Sequence, residues 1–173
     1  MARMETANER SNVRLRFTDK RTGASFLEID AWIHSEIKAI SPLVDRLMRL
    51  IEGARCIAGE EPAVQLALRE ALNNAVVHGN GMDARKLVHV RCRWELGKGV
   101  SLIVSDQGKG FNPDAVPNPL SVENREAERG RGIHFIKSVM DKVSFARGGT
   151  EVRMRKGPAR NPGTELRRSS QGF

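Results

Sequence analysis

Leu68-Arg69-Glu70-Ala71-Leu72-Asn73-Asn74-Ala75-Val76-Val77-His78-Gly79-Asn80 places a carboxylate, two amides and an imidazole inside an apolar helical pattern. Val64, Leu68, Ala71, Leu72, Ala75 and Val76 recur at three- and four-residue spacing and mark a core-facing stripe. Glu70, Asn74 and His78 recur every four residues and predict a second, polar face, with Asn73 beside them. Such a helix either lines a polar cavity or turns its polar face to water. The stretch alone decides neither.

The flanking sequence predicts the layers around it. Val13, Leu15 and Phe17 alternate with arginines as an edge strand, and Leu27, Ile29, Ala31 and Ile33 alternate again between residues 26 and 40. Ser41-Pro42 suits a helix start, with Ser41 as the cap and Pro42 in the first turn, and Leu43, Val44, Leu47, Leu50 and Ile51 carry that helix to Gly53. Glu61-Pro62 opens the second helix, and His78-Gly79-Asn80-Gly81 closes it. Strands follow at Val88–Trp94 and Val100–Val104, then a third helix at Ile133–Met140. A hairpin pairs Val143–Phe145 with Glu151–Arg155. The expected fold is a two-layer α/β sandwich, a mixed, mostly antiparallel sheet covered on one face by about three helices. Residues 1–12 read as a flexible N-terminus, 13–156 as one domain and 157–173 as a basic disordered tail.

Two glycine clusters stand at junctions. Asp106-Gln107-Gly108-Lys109-Gly110 directly follows a strand, where glycines let the backbone approach a flat or charged ligand and an Asp accepts from an exocyclic amine. Gly130-Arg131-Gly132 precedes the third helix, whose free N–H groups and partial positive charge suit phosphate, with Arg129 and Arg131 as added charge. Residues 112–129 between them contain three prolines and little apolar content, the length and composition of a lid. Neither the dinucleotide fingerprint nor a Gly-Lys-Ser/Thr phosphate loop is present.

Composition narrows the class. The net charge of +8 divides into +3 over residues 1–22 and +5 over residues 153–173, leaving the middle balanced. With no Tyr and no aromatic interleaving, the expectation is no nucleic acid partner. No apolar run reaches the roughly 18 residues of a membrane span, and no secretory segment begins the chain; the expectation is a cytoplasmic protein with no membrane contact. Cys56 and Cys92 follow no metal or redox spacing and read as buried thiols.

Helical Glu-x-x-x-Asn, strand-Asp-x-Gly-x-Gly, a lid-length loop, Gly-x-Gly-helix and a Gly-Thr hairpin occur in that order. The order resembles the GHKL superfamily of ATP-binding domains, which includes DNA gyrase, histidine kinases and MutL. Glu70–Gly79 looks like its N box, Asp106–Gly110 its first glycine box and Gly130–Gly132 its second. Within the superfamily, the chain most resembles the anti-sigma factor serine/threonine kinases of bacterial stress response and sporulation. The resemblance spans residues 26–155 and implies the Bergerat fold.

It also implies roles. Asn74 would ligate Mg²⁺ bridging the ATP phosphates. Glu70, one turn away, would orient or deprotonate the attacking hydroxyl. Asp106 would recognise the adenine amine with Thr150 nearby, and Gly108 and Gly110 would shape that pocket. Gly130 and Gly132 would cradle phosphates, Asn73 and His78 would line or flank the site, and residues 112–129 would close over it. Arg129 and Arg131 depart from the small or apolar neighbours usual in the family's phosphate box. The partners implied are a sigma factor and a STAS-domain anti-anti-sigma protein, with a homodimer as a further expected assembly. Two alternatives stay open: a nucleotide-gated partner-binding protein without transfer activity, and a detached histidine kinase ATP-binding domain, where Asn is usual at the Glu70 position.

Overall fold

A computed structural model of the chain describes residues 11–20, 24–95, 97–112 and 131–158. The alternating segments become strands β1 (Ser11–Lys20), β2 (Ala24–His34), β3 (Leu87–Glu95), β4 (Gly99–Ser105), β5 (Lys142–Ala146) and β6 (Glu151–Lys156). The segments with helical spacing become α1 (Ile40–Ala54), α2 (Glu61–Asn73) and α3 (Arg131–Val139). The strands form one sheet in the order β1-β2-β3-β4-β6-β5. No helix among the described residues is long and apolar enough to cross a membrane.

The two-layer sandwich is present, with one adjustment to the sheet. Every neighbouring pair among the described residues is antiparallel. Two helices, α1 and α2, separate β2 from β3, so the chain returns to the end it left and β3 enters antiparallel. Helix α3 lies between β4 and β5 in the chain; these strands run in the same direction, but β6 lies between them in the sheet and no parallel ladder forms among the described residues.

The helices cover one face. Ile29, Ala31 and Ile33 of β2, Val88, Val90, Cys92 and Trp94 of β3, and Leu102 and Val104 of β4 are buried beneath them. Against these pack Leu43, Val44, Leu47 and Ile51 of α1 and Val64, Ala67, Leu68, Ala71 and Leu72 of α2. Both cysteines are buried, and burial pushes the Cys56 and Cys92 thiols up. Helix α1 starts one residue before the expected Ser41, behind a 3₁₀ turn at Ile37–Ala39. The Ser41 hydroxyl does not cap; it accepts a bond from Arg69, which also pairs with Asp45 and so ties α1 to α2.

The other face carries charge. Asp30 is 6% exposed, yet accepts bonds from His89 Nε2 at 2.9 Å and Arg91 Nε at 3.0 Å. Trp32, opposite His89 in the ladder, stacks on it at 4.4 Å.

One lysine ties the end of α3 to the sheet. Lys156 Nζ donates to the Val139 carbonyl at the end of α3 (2.9 Å) and pairs with Glu60 (3.1 Å) and Asp141 (3.7 Å). A cation on the orphan carbonyls of a helix end is favourable in charge and in hydrogen bonding. Lys156→Met is expected to lower stability by about 1–2 kcal/mol, read as a lower denaturation midpoint with α3 amides exchanging before those of the sheet. An unchanged midpoint with uniform protection would show that the clamp contributes nothing.

Candidate functional site

Helix α2 does not stop at Asn73. It runs on as a π-turn over Asn74–Gly79, in which the Asn80 N–H bonds back five residues to the Ala75 carbonyl at 2.8 Å. Ala75 and Val76 stay on the buried side, while Glu70 and Asn74 are half-buried and Asn73 and His78 exposed. All four polar side chains line a cavity of about 710 Å³, within the roughly 300–1,000 Å³ of small-molecule sites.

The opposite wall is the first turn of α3, with Arg131, Gly132 and Ile133. Gly132 faces the carboxylate and amide directly. A Cβ on it would lie 2.8 Å from Glu70 Oε2 and 3.4 Å from Asn74 Nδ2, so both groups converge on the start of that helix. Glu70 has no ion-pair partner among the described residues.

The floor is apolar. Val104 and Val152, paired across β4 and β6, join Ile136 and Phe145, and Phe111 meets Phe145 edge-on at 5.4 Å. Edge-to-face is a favoured arrangement for an aromatic pair.

Two loops close the remaining end. Residues 106–111 follow β4, and residues 147–150 join β5 to β6; Asp106 N–H bonds to the Thr150 carbonyl and Phe111 N–H to the Gly148 carbonyl. Gly110 has φ +74° and abuts the Gly148 carbonyl, a conformation and a space that exclude a side chain. Gly108 abuts the Gly79 carbonyl in the same way. Glu151, 5% exposed, fixes the root of the second loop through Ser105 (3.0 Å), Arg153 (2.7 Å) and Arg147 (3.3 Å). Burial raises its carboxyl, but these donors outweigh it and hold the group below the ordinary carboxylate range.

Asp106 is the opposite case. Burial raises its carboxyl, and the Gly108 N–H on Oδ1 (2.8 Å) and the charge of Lys86 offset this only in part. A half-buried carboxylate in a cavity, with no ion-pair partner among the described residues, can receive a hydrogen bond from a ligand.

Of the residues singled out from sequence, Glu70, Asn73, Asn74, His78, Asp106, Gly110, Arg131, Gly132 and Thr150 line one cavity. Gly108 lies behind Asp106 rather than at the surface of the cavity. Arg129, Gly130 and residues 113–129 of the expected lid lie outside the described residues. The apolar floor went unread. Phe111 follows the glycine cluster directly and could have been suspected; Ile136, Val104 and Val152 look like ordinary core in their own elements.

A family model described as the histidine kinase-like ATPase domain matches residues 33–156. The chain is 27% identical to the anti-sigma F factor of Geobacillus thermodenitrificans over 152 residues, 85% of this chain and 92% of that protein. It is 30% identical to the anti-sigma F factor of Clostridium novyi over 98 residues, 54% of this chain and 68% of that one. Over 82 residues it is 33% identical to the anti-sigma F factor of Bacillus cereus, covering 46% and 56%.

The raised Asp106 carboxyl has a measurable sign. Its folded value lies above the unfolded one, so the ionised group costs stability at pH above both, and the cost disappears as pH falls through the folded value. Asp106→Asn, which keeps the bond from Gly108, is expected to match or exceed the wild-type melting temperature at pH 8 without ligand. A fall of several degrees in calorimetry would contradict this.

Proposed function

Since the chain belongs to the family of histidine kinase-like ATPase domains, we propose that it is an anti-sigma factor and ATP-dependent serine/threonine kinase acting on a STAS-domain anti-anti-sigma protein. The observation that carries this reading is the convergence of the Glu70 carboxylate and the Asn74 amide on Gly132. A purely nucleotide-gated binder needs the amide but has no use for an unpaired carboxylate one turn away. The anti-sigma F factor names of its relatives support the regulatory half.

The cavity fits ATP and Mg²⁺ in chemistry as well as size. Asp106 offers an acceptor for the adenine amine, and the Phe111–Phe145 pair and valine floor offer an apolar bed for the ring. At the other end, the α3 N-terminus presents N–H groups beside Gly132 and Arg131, which suit phosphate. Among the described residues no cluster of three acidic, His or Cys side chains stands ready to hold a metal. That suits Mg²⁺, which keeps waters and phosphate oxygens and needs few protein ligands; Asn74 would be the one supplied here.

Bound Mg²⁺ neutralises phosphate charge during transfer. Asn74 would hold that ion through its amide oxygen, and the first turn of α3 orients the terminal phosphate. Glu70 accepts the proton of the substrate serine or threonine hydroxyl at Oε2 as its oxygen bonds to the γ-phosphorus, with ADP as the leaving group. His78 and Asn73 stand at the exposed rim, where they contact nucleotide or partner. A sigma factor and the STAS-domain substrate are the partners of this reading, in the cytoplasm and with a homodimer as the assembly.

Glu70→Gln is expected to retain ATP binding and to lower phosphoryl transfer at least 100-fold, the scale of general base catalysis, read by mass spectrometry of STAS-domain proteins incubated with Mg-ATP. Unchanged transfer would end the kinase reading. Asn74→Ala should weaken Mg-ATP at least tenfold in calorimetry; wild-type affinity would remove Asn74 as the metal ligand.

A further inference from the structure

Asn80 closes the opening stretch of the sequence and lines no part of the cavity. It is nevertheless 3% exposed, one of few buried polar side chains among the described residues. A buried amide is costly unless its donors and acceptor are used, and both ends of this one are. Nδ2 donates to the Leu87 carbonyl at 3.1 Å, and Oδ1 accepts the Gln107 N–H at 2.8 Å. Gln107 completes a ring, since its Oε1 accepts the Leu87 N–H at 2.7 Å. The end of the π-turn, the start of β3 and the loop after β4 are thereby joined through one amide.

The consequence falls on the residue next to Gln107. Three successive N–H groups of the loop have separate acceptors: Asp106 N–H on Thr150, Gln107 N–H on Asn80, and Gly108 N–H on the Asp106 carboxylate itself. Gly79, adjacent to Asn80, packs so closely under Asp106 that a Cβ there would strike the carboxylate. Asn80 therefore fixes the peptide between Asp106 and Gln107. Without its acceptor, the Gln107 N–H would turn to another oxygen, and the loop would no longer hold the carboxylate at one orientation.

We propose that Asn80 is the positioning residue for base selectivity, holding Asp106 so that its carboxylate accepts from the 6-amino group of adenine and opposes the 6-carbonyl of guanine. The inference rests on the reading of Asp106 as the adenine contact. A site built around one hydrogen bond discriminates strongly against a base that cannot make it, and discrimination depends on the carboxylate being held in place.

The test compares ATP and GTP affinities by calorimetry for the full chain and four variants. Wild type should prefer ATP, and Asp106→Asn should abolish the preference; if either fails, the reading of Asp106 falls, whatever Asn80 does. Given those results, Asn80→Ala should reduce the ATP/GTP preference at least tenfold, chiefly through lost ATP affinity. Ser35→Ala removes another buried polar group bonded to the same π-turn, a hydroxyl that donates to the Val76 carbonyl (3.4 Å) rather than to Gln107, and should keep the preference even where it lowers the melting temperature. Asn80→Asp, which keeps the acceptor and loses the donor, should also retain it and decides the matter should the alanine variant not fold. Unchanged preference in Asn80→Ala, or lost preference in Asn80→Asp, would overturn the inference.

Discussion

The pocket depends on backbone meeting backbone at distances that no side chain permits. Gly108 abuts the Gly79 carbonyl, Gly110 the Gly148 carbonyl, and Gly149 the backbone of Phe111. These contacts bring the end of α2, the loop after β4 and the β5–β6 turn together around one end of the cavity. The rest of the site follows from that approach. Asp106 is half-buried because Gly79 lies beneath it, and Phe111 reaches Phe145 because its loop is drawn onto the turn.

Three buried or half-buried carboxylates show how the same residue type serves different ends. Asp30 and Glu151 lie outside the helix layer, nearly inaccessible, and burial raises both. Guanidinium and hydroxyl or imidazole partners outweigh that cost and hold both groups low, so these acids brace strands. Asp106 receives, among the described residues, the Gly108 N–H and the charge of Lys86, which offset burial only in part, and its carboxyl stays raised. The difference lies in the partners: Asp30 and Glu151 are held by charged donors, whereas the bond to Asp106 comes from backbone.

How much of this was legible depends on the range of the interactions. The period-two and period-3.6 patterns gave the strands and helices, because Ile29, Ala31 and Ile33 or Leu68, Ala71 and Leu72 report their burial locally. The Glu70–Asn74 wall was legible for the same reason, as was Asp106 at a strand end. What escaped depends on contacts distant in sequence. The Ser41 hydroxyl, read as a helix cap, is taken instead by Arg69, 28 residues on. Gly108, expected to help shape the pocket, has its closest neighbour 29 residues back in the chain, at the Gly79 carbonyl. The floor residues Val104 and Val152 have no local mark distinguishing a core valine from one that faces a cavity. The strand directions were half legible: helix number between strands sets whether the chain returns antiparallel, but the insertion of β6 between β4 and β5 is a property of the assembled sheet.

The π-turn over Asn74–Gly79 gives the end of α2 one residue more per turn than an α-helix would. Such a turn amounts to an insertion retained within a helix, and it makes the chain length here a functional quantity. Deleting one residue between Asn74 and Asn80 would let the helix revert to ordinary winding, turning everything after it by about 100° relative to the stripe before it. The core contacts of Leu68 and Leu72 would survive, while Gly79 and Asn80 would leave the loop they support. At this point the number of residues matters as well as their identity, because the winding of one turn sets where both Gly79 and Asn80 arrive.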